Sequence, residues 1–278
     1  MKKRTLLNLA IITLFSITAA QAEKWEKESS EAELAQELTN PVADLITVPI
    51  QINFDNNIGP SDDGSKMQIN VQPVIPFNLN DDWNLITRTI MPVISQDDIL
   101  PGSGSQFGLG DLSMSMFFSP AKPTSSGLVW GFGPILLLPT ATDNLLGGKK
   151  WGAGPTGLVM TKSGHWTMGC LFNHVWSYAG DSDRASISNT LAQPFVTYTW
   201  QSAWTVSVQS ETTYNWKSED WTVPINVAAS KLVFLGQLPV SLQAGVGYFL
   251  ESPDAGAEGF RFRIQANFVL PKALFSRN

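Results

Sequence analysis

Residues 204–216 read Trp204-Thr205-Val206-Ser207-Val208-Gln209-Ser210-Glu211-Thr212-Thr213-Tyr214-Asn215-Trp216. In an extended chain successive Cβ atoms point to opposite faces. Val206, Val208, Ser210, Thr212 and Tyr214 therefore share one face, and Thr205, Ser207, Gln209, Glu211, Thr213 and Asn215 share the other. A tryptophan brackets each end. At a rise of ~3.3 Å per residue and a tilt of ~45°, the two indoles stand roughly 28 Å apart. That is close to the height of a membrane apolar band, about 25 Å, with an aromatic girdle at each interface. Trp166 and Trp176 bracket a second run in the same way. A soluble sandwich gains nothing from tryptophan at both ends of its strands.

Working outward, the same period of two recurs. Ile46, Val48, Ile50, Ile52 and Phe54 alternate with Thr47, Gln51, Asn53 and Asp55. Phe260, Phe262, Ile264, Ala266, Phe268 and Leu270 alternate with Arg261, Arg263, Gln265 and Asn267. Twelve such runs fall near 44–55, 66–78, 82–95, 107–119, 127–139, 150–162, 165–178, 189–201, 203–216, 220–232, 238–250 and 259–271. Asn80-Asp81, Ser163-Gly164, Ser202 and Gly236 mark short turns. Residues 56–65, 96–106, 140–149, 179–188 and 251–258 are longer and rich in Gly, Asp and Ser. An even strand count with short turns at one end and longer loops at the other predicts an all-β, antiparallel transmembrane β-barrel. Pro49, Pro73, Pro76, Pro92, Pro134, Pro155, Pro194 and Pro224 lie inside these runs. Proline removes a ladder donor, so bulges are expected there. The third, fifth and sixth runs alternate poorly.

Composition agrees. The 278 residues are 43% hydrophobic and only 15% charged, against ~25% charged in an average soluble domain. No apolar run of ~18 residues follows the first 22. The formal net charge of -6, without a basic cluster beyond the N-terminus, argues against nucleic acid as a partner. One Cys and two His exclude a disulfide framework and leave no basis for a metal or other cofactor.

Lys2, Lys3 and Arg4, the apolar stretch Leu6 to Ala20 and the small-residue site Ala20-Gln21-Ala22 form a secretory signal pattern, with cleavage after Ala22. The chain after it carries 15 Lys+Arg against 24 Asp+Glu, a charge of -9. Residues 23–43 are acidic, with Glu31, Leu34, Ala35 and Leu38 at helical spacing before Asn40-Pro41. They predict a short helical arm, either solvated or lying inside the barrel as a plug. The barrel occupies 44–278.

Several stretches resemble a family of Gram-negative outer-membrane proteins. They are Asn40-Pro41-Val42-Ala43, Gln72-Pro73-Val74-Ile75-Pro76-Phe77, Trp83-Asn84-Leu85-Ile86 with Arg88, Gly108-Leu109-Gly110-Asp111 and Phe118-Ser119-Pro120-Ala121-Lys122. Pro139-Thr140-Ala141-Thr142-Asp143, Gln193-Pro194-Phe195 and Trp221-Thr222-Val223-Pro224-Ile225-Asn226 extend the likeness over nearly the whole chain. Together they are similar to the MetA-pathway of phenol degradation family, whose members carry the label "transporter". The resemblance implies an outer-membrane β-barrel, distantly similar to transporters of hydrophobic compounds, and brings no established substrate. The chain departs from a common barrel ending, since Lys272 to Asn278 follow the last strand and the terminal residue is Asn rather than Phe.

Catalytic signals are weak. His174 and Ser177 are three apart on a strand, hence on opposite faces, and Cys170 shares a face with Met168 and Phe172. No G-x-S-x-G, H-E-x-x-H or Walker pattern occurs. The expected protein is therefore not an enzyme. Asp55, Arg88, Asp111, Glu211, Arg261 and Arg263, with Gln209 and Gln265, fall on the faces assigned to the lumen and are the candidate pore-lining residues. A charge on the lipid face costs roughly 2–4 kcal/mol at midplane for Arg, which requires inward placement. The reading is a porin-like channel for passive passage of small molecules, hydrophobic or aromatic ones included. Its partners would be outer-membrane lipids, the barrel assembly machinery and a solute the sequence does not name. A structural barrel with a filled lumen, or a lipid-modifying enzyme, are the alternatives.

Overall fold

The computed structural model describes residues 31–271. The leader 1–22, the start of the arm and the tail 272–278 lie outside the described residues. After a seven-residue helix α1 (Glu31–Glu37) the chain is all strand: β1 (Ile46–Ile58), β2 (Gly64–Val71), β3 (Val74–Asn78), β4 (Trp83–Asp97), β5 (Ser105–Leu109), β6 (Leu112–Pro120), β7 (Leu128–Leu138) and β8 (Lys150–Ser163). Then follow β9 (Trp166–Gly180), β10 (Ser188–Thr199), β11 (Trp204–Ser210), β12 (Thr212–Asn215), β13 (Asp220–Leu235), β14 (Leu238–Glu251) and β15 (Phe260–Leu270).

The pairs β2–β3, β5–β6 and β11–β12 are each one interrupted strand, so the wall has twelve staves. Every neighbour is antiparallel, and β15 returns to pair with β1 from Ile46↔Leu270 to Asp55↔Arg261. The barrel closes and no edge remains.

The prolines explain the interruptions. Pro194 of β10 and Pro224 of β13 flank Glu211 from the two sides, and the ladders skip that position on both. Register is unchanged across the gap, so the stave continues in line. Pro49 lies against the break at Gln72-Pro73, where Gln72 N still donates to Pro49 O at 2.9 Å. Pro134 and Pro155 oppose one another, and the gaps fall on their far sides, at Met116-Phe117 and at His174-Val175. At Gly110-Asp111 one extra residue bulges the stave opposite Pro92, and the register also shifts by one between Val223 and Pro224, between Asp55 and Ile58 and between Trp151 and Gly152. Prolines thus gather their missing donors at a few places, and twelve staves survive.

Large apolar side chains face outward along the whole wall, among them Phe54, Val208, Val246, Phe262 and Ile264. Aromatic residues cluster toward both ends. Trp83 packs edge-on to Trp130, and Trp166, Tyr198 and Trp200 form a chain, all near the short turns. Tyr214, Trp216 and Trp221 cluster at the other end. No helix among the described residues is long and apolar enough to cross a membrane; the strands are the spanning elements.

This assignment of faces is directly testable. Ile264 is exposed on the outer face near the middle of β15, whereas Ser241 of β14 lines the interior. Ile264→Arg is expected to destabilise the barrel by roughly 2–4 kcal/mol, and Ser241→Arg by well under half of that. Urea unfolding in lipid vesicles, followed by tryptophan fluorescence, checks the difference.

Candidate functional site

The interior has two unlike halves. One is apolar: Val74, Ile86, Phe117, Leu158, Met160, Leu171 and Phe195 pack into a buried cluster that also takes Val42 from the N-terminal segment. These residues point inward from β3, β4, β6, β8, β9 and β10, so half of the lumen is filled. The other half is polar and encloses a cavity of about 500 Å³.

β1, β2, β11, β14 and β15 supply the polar wall through the inward face of each strand. Asp55, Arg88, Gln209, Glu211, Arg261 and Gln265 all line the cavity. Arg263 points to the same side and is buried. The β1–β15 seam brings Asp55 opposite Arg261. The Arg261 guanidinium grips the Asp55 carboxylate with two bonds, Nε–Oδ1 at 2.6 Å and Nη2–Oδ2 at 2.9 Å. It reaches Glu211 Oε2 at 3.4 Å as well. Arg263 donates to Glu211 Oε2 at 2.8 Å and to Asn53 Oδ1 at 2.7 Å. Glu211 thus couples two arginines across the lumen from a different part of the wall. Such forked, charge-assisted pairs are the strongest side-chain contacts available to a polar interior.

Arg88 feels the charge of Glu211 but makes no contact ion pair with it. It donates to Gln72 Oε1 at 2.8 Å, and among the described residues no carboxylate lies within ion-pair distance of it. Lys66, which sequence reading did not single out, sits cross-strand from Asp55 on the same inward face. Its parity with Gln68, Asn70 and Gln72 was the available signal. The belt therefore holds four cations (Lys66, Arg88, Arg261, Arg263) against two carboxylates (Asp55, Glu211), an excess of two. This inverts the sign of the chain as a whole.

Asp111 corrects the sequence reading. It shares the inward parity of Ser113 and Ser115, but it does not line the cavity. Its carboxylate accepts from Ala141 N at 3.1 Å and Gly148 N at 2.7 Å. It therefore anchors loop 139–149, which folds back onto the inner face. Leu146 is buried there, and Gln96 Nε2 donates to Leu145 O at 3.2 Å. Gly108 and Gly110 make room, since a Cβ at either would strike Thr142 or Pro92. Arg184 holds the same loop through Asn144 O and Gly147 O.

The opposite mouth is lined by the N-terminal segment. Ala35 packs with Ala203 and Leu232, supported by Leu34 and Leu38. Gln36 Nε2 donates to Gly164 O at 2.8 Å, and Glu37 pairs with Lys162. Asn40 Oδ1 accepts from Val42 N at 3.0 Å, a local turn that delivers Val42 into the apolar cluster. Leu38, Thr39, Asn40 and Ala43 form part of the cavity wall.

On the outer face, His174 Nδ1 bonds Thr190 Oγ1 at 2.7 Å, which also accepts from Trp216 Nε1 at 2.8 Å. Ser188 Oγ lies 3.4 Å from His174 Nε2. Cys170 faces outward with Met168 and Phe172, as its parity requires. Among the described residues no group of three or more His, Cys, Asp or Glu could hold a metal ion.

No family model and no curated protein matches the chain. Solved structures do. The COG4313 outer membrane channel from Pseudomonas putida F1 aligns with a TM-score of 0.64 and 16% identity, covering 81% of this chain and 96% of that one. The NanC porin aligns at 0.50 with 9% identity, covering 80% and 100%. Outer membrane phospholipase A from Escherichia coli reaches 0.48 with 11% identity, covering 81% and 90%. At these identities the likeness to the channel and to the porin shows the fold alone, a twelve-stave barrel of the outer-membrane type.

Proposed function

We propose that the chain is a channel in a Gram-negative outer membrane that passes small molecules down their gradient, with anions favoured over cations. The observation that carries this is the charged belt at the polar cavity: Arg88 and Arg261 face Asp55 and Glu211 on its wall, and Lys66 and Arg263, on the same inward face beside them, bring the belt to an excess of two cations. The barrel fold, shared with a channel and a porin, supports it. Signal-directed export fits the same destination. Passage of hydrophobic or aromatic molecules is supported only by the apolar-cluster residues on the cavity wall itself, Val74, Leu171 and Phe195.

The selectivity has a size. Two unit charges roughly 10 Å from a permeating ion contribute about 0.8 kcal/mol in water. Screening at 0.1 M salt, where the Debye length is about 10 Å, reduces this to roughly 0.3 kcal/mol. The sign is opposite for anion and cation, so the permeability ratio is about threefold. Planar-bilayer recording in a potassium chloride gradient is expected to show discrete openings with a reversal potential displaced toward chloride. A folded barrel that conducts nothing overturns the proposal and favours the second reading, a structural barrel, which the filled apolar half recommends. We propose no catalytic role for His174. An O–H···N separation of 3.4 Å is long for a hydrogen bond, and the His174, Thr190 and Trp216 contacts suit an interfacial anchor; phospholipid turnover by purified protein tests that assignment.

A further inference from the structure

We infer that the cavity binds small organic anions bearing one carboxylate-like group on an apolar body, at a site centred on Arg88. The inference deepens the channel reading of the same cavity and names the class of solute.

Three observations converge on it. The first is charge. Asp55 and Glu211 are committed to Arg261 and Arg263, whereas the Arg88 guanidinium lines the cavity with one neutral partner, Gln72. A guanidinium carries five N–H donors in a fork that matches a carboxylate, and most of these remain to be used. The second is the neighbourhood. Val74 lies directly cross-strand from Arg88 and belongs to the apolar cluster, and Leu171 and Phe195 of that cluster also line the cavity. Arg88 therefore stands on the border between the polar and apolar halves of the interior. The third is size. About 500 Å³ falls within the ~300–1,000 Å³ of ordinary small-molecule sites, which combine apolar walls with a few placed polar groups.

These observations select among solutes. Chloride or acetate would satisfy Arg88 and make no use of the apolar residues on the cavity wall. A neutral apolar molecule would cover the wall and leave the guanidinium without a contacting counter-ion. A molecule such as benzoate does both, with its carboxylate on the Arg88 fork and its ring against Val74, Leu171 and Phe195. Excluding water on the ring side lowers the local dielectric and strengthens the ion pair. Gln193 and Gln209, on the cavity wall, offer amide donors along the path by which such an anion could move on.

The test separates binding from transport. Benzoate, benzyl alcohol and acetate are titrated calorimetrically into the detergent-folded full-length barrel, wild type and R88Q. Heat-modifiable gel migration confirms that each is folded. Wild type is expected to bind benzoate at least tenfold more tightly than either other probe, and R88Q to bring benzoate down to the level of benzyl alcohol. Equal affinity for all three probes in wild type overturns the inference without needing a variant. Benzoate binding that a folded R88Q leaves unchanged overturns it too. Benzoate bound by a barrel that conducts nothing would sink the channel and leave the site standing; conductance without benzoate preference would do the reverse.

Discussion

Replacing Glu211 by glutamine is expected to weaken the barrel and sharpen its anion preference together. Glu211 Oε2 is the shared acceptor for Arg261 and Arg263, and the Arg263 side chain is only 2% exposed. Removing the carboxylate charge leaves Arg263 with Asn53 alone, while Arg261 keeps its two bonds to Asp55. Breaking a fully buried pair from one side costs about 3–5 kcal/mol. The Glu211 side chain is 25% exposed to the cavity, so about 2–3 kcal/mol is the expected loss here. The same change raises the cation excess from two to three. By the screened Coulomb arithmetic above, the anion-to-cation ratio rises from about three to about five. Urea unfolding measures the first effect and reversal potential the second. A variant combining Glu211→Gln with Arg263→Gln should regain most of the lost stability, because no uncompensated charge remains, and should return selectivity to the wild-type value or below. Additive stability losses in that double variant would show that the two side chains do not interact.

Glu211 also shows why the interior was only half legible in the sequence. The alternation of 204–216 is plain because one face of that stave meets lipid and the other a wet, charged cavity. The same pattern fades in β4, β7 and β8. Ile86, Leu158 and Met160 point inward there, into the apolar cluster, and Ile135 of β7 is buried as well. With apolar groups on both faces, a period of two has nothing to report. The poorly alternating runs were a record of the filled half of the lumen. The prolines carried information as well. Pro194 and Pro224 stand on either side of Glu211, and Pro49 and Pro73 meet at Gln72, the partner of Arg88. The ladder is interrupted where the polar cluster needs its central residues. What no periodicity could supply was the pairing of charges. Asp55 and Arg261 are 206 positions apart and meet only because the last strand closes on the first. Nor could parity distinguish Asp111, inward but claimed by a loop, from residues that face open space.

The largest change in conductance is expected from deleting residues 23–43. The described part of this segment lies along the short-turn mouth, with Ala35, Val42 and Ala43 buried and Leu38, Thr39, Asn40, Pro41 and Ala43 on the cavity wall. Removing it opens the cavity toward that side, so single-channel conductance should rise severalfold. The segment also contributes to stability. Full burial of a valine side chain is worth about 1.5–3 kcal/mol, and Val42 gives much of that to the apolar cluster. The deleted barrel should therefore unfold at lower urea while keeping its strand content. Glu37→Gln provides the contrast. It removes the ion pair with Lys162, whose two side chains are 35% and 30% exposed, and such a pair is worth only about 0.2–1 kcal/mol. Gln36 and the apolar contacts of Ala35 and Leu38 still hold the helix in place. Brief excursions to a higher conductance level are expected from this variant, against a permanently raised level in the deletion. If the deletion leaves conductance unchanged, the segment is a stabilising strut and the narrowest point of the path lies deeper, at the Arg261–Glu211–Arg263 belt.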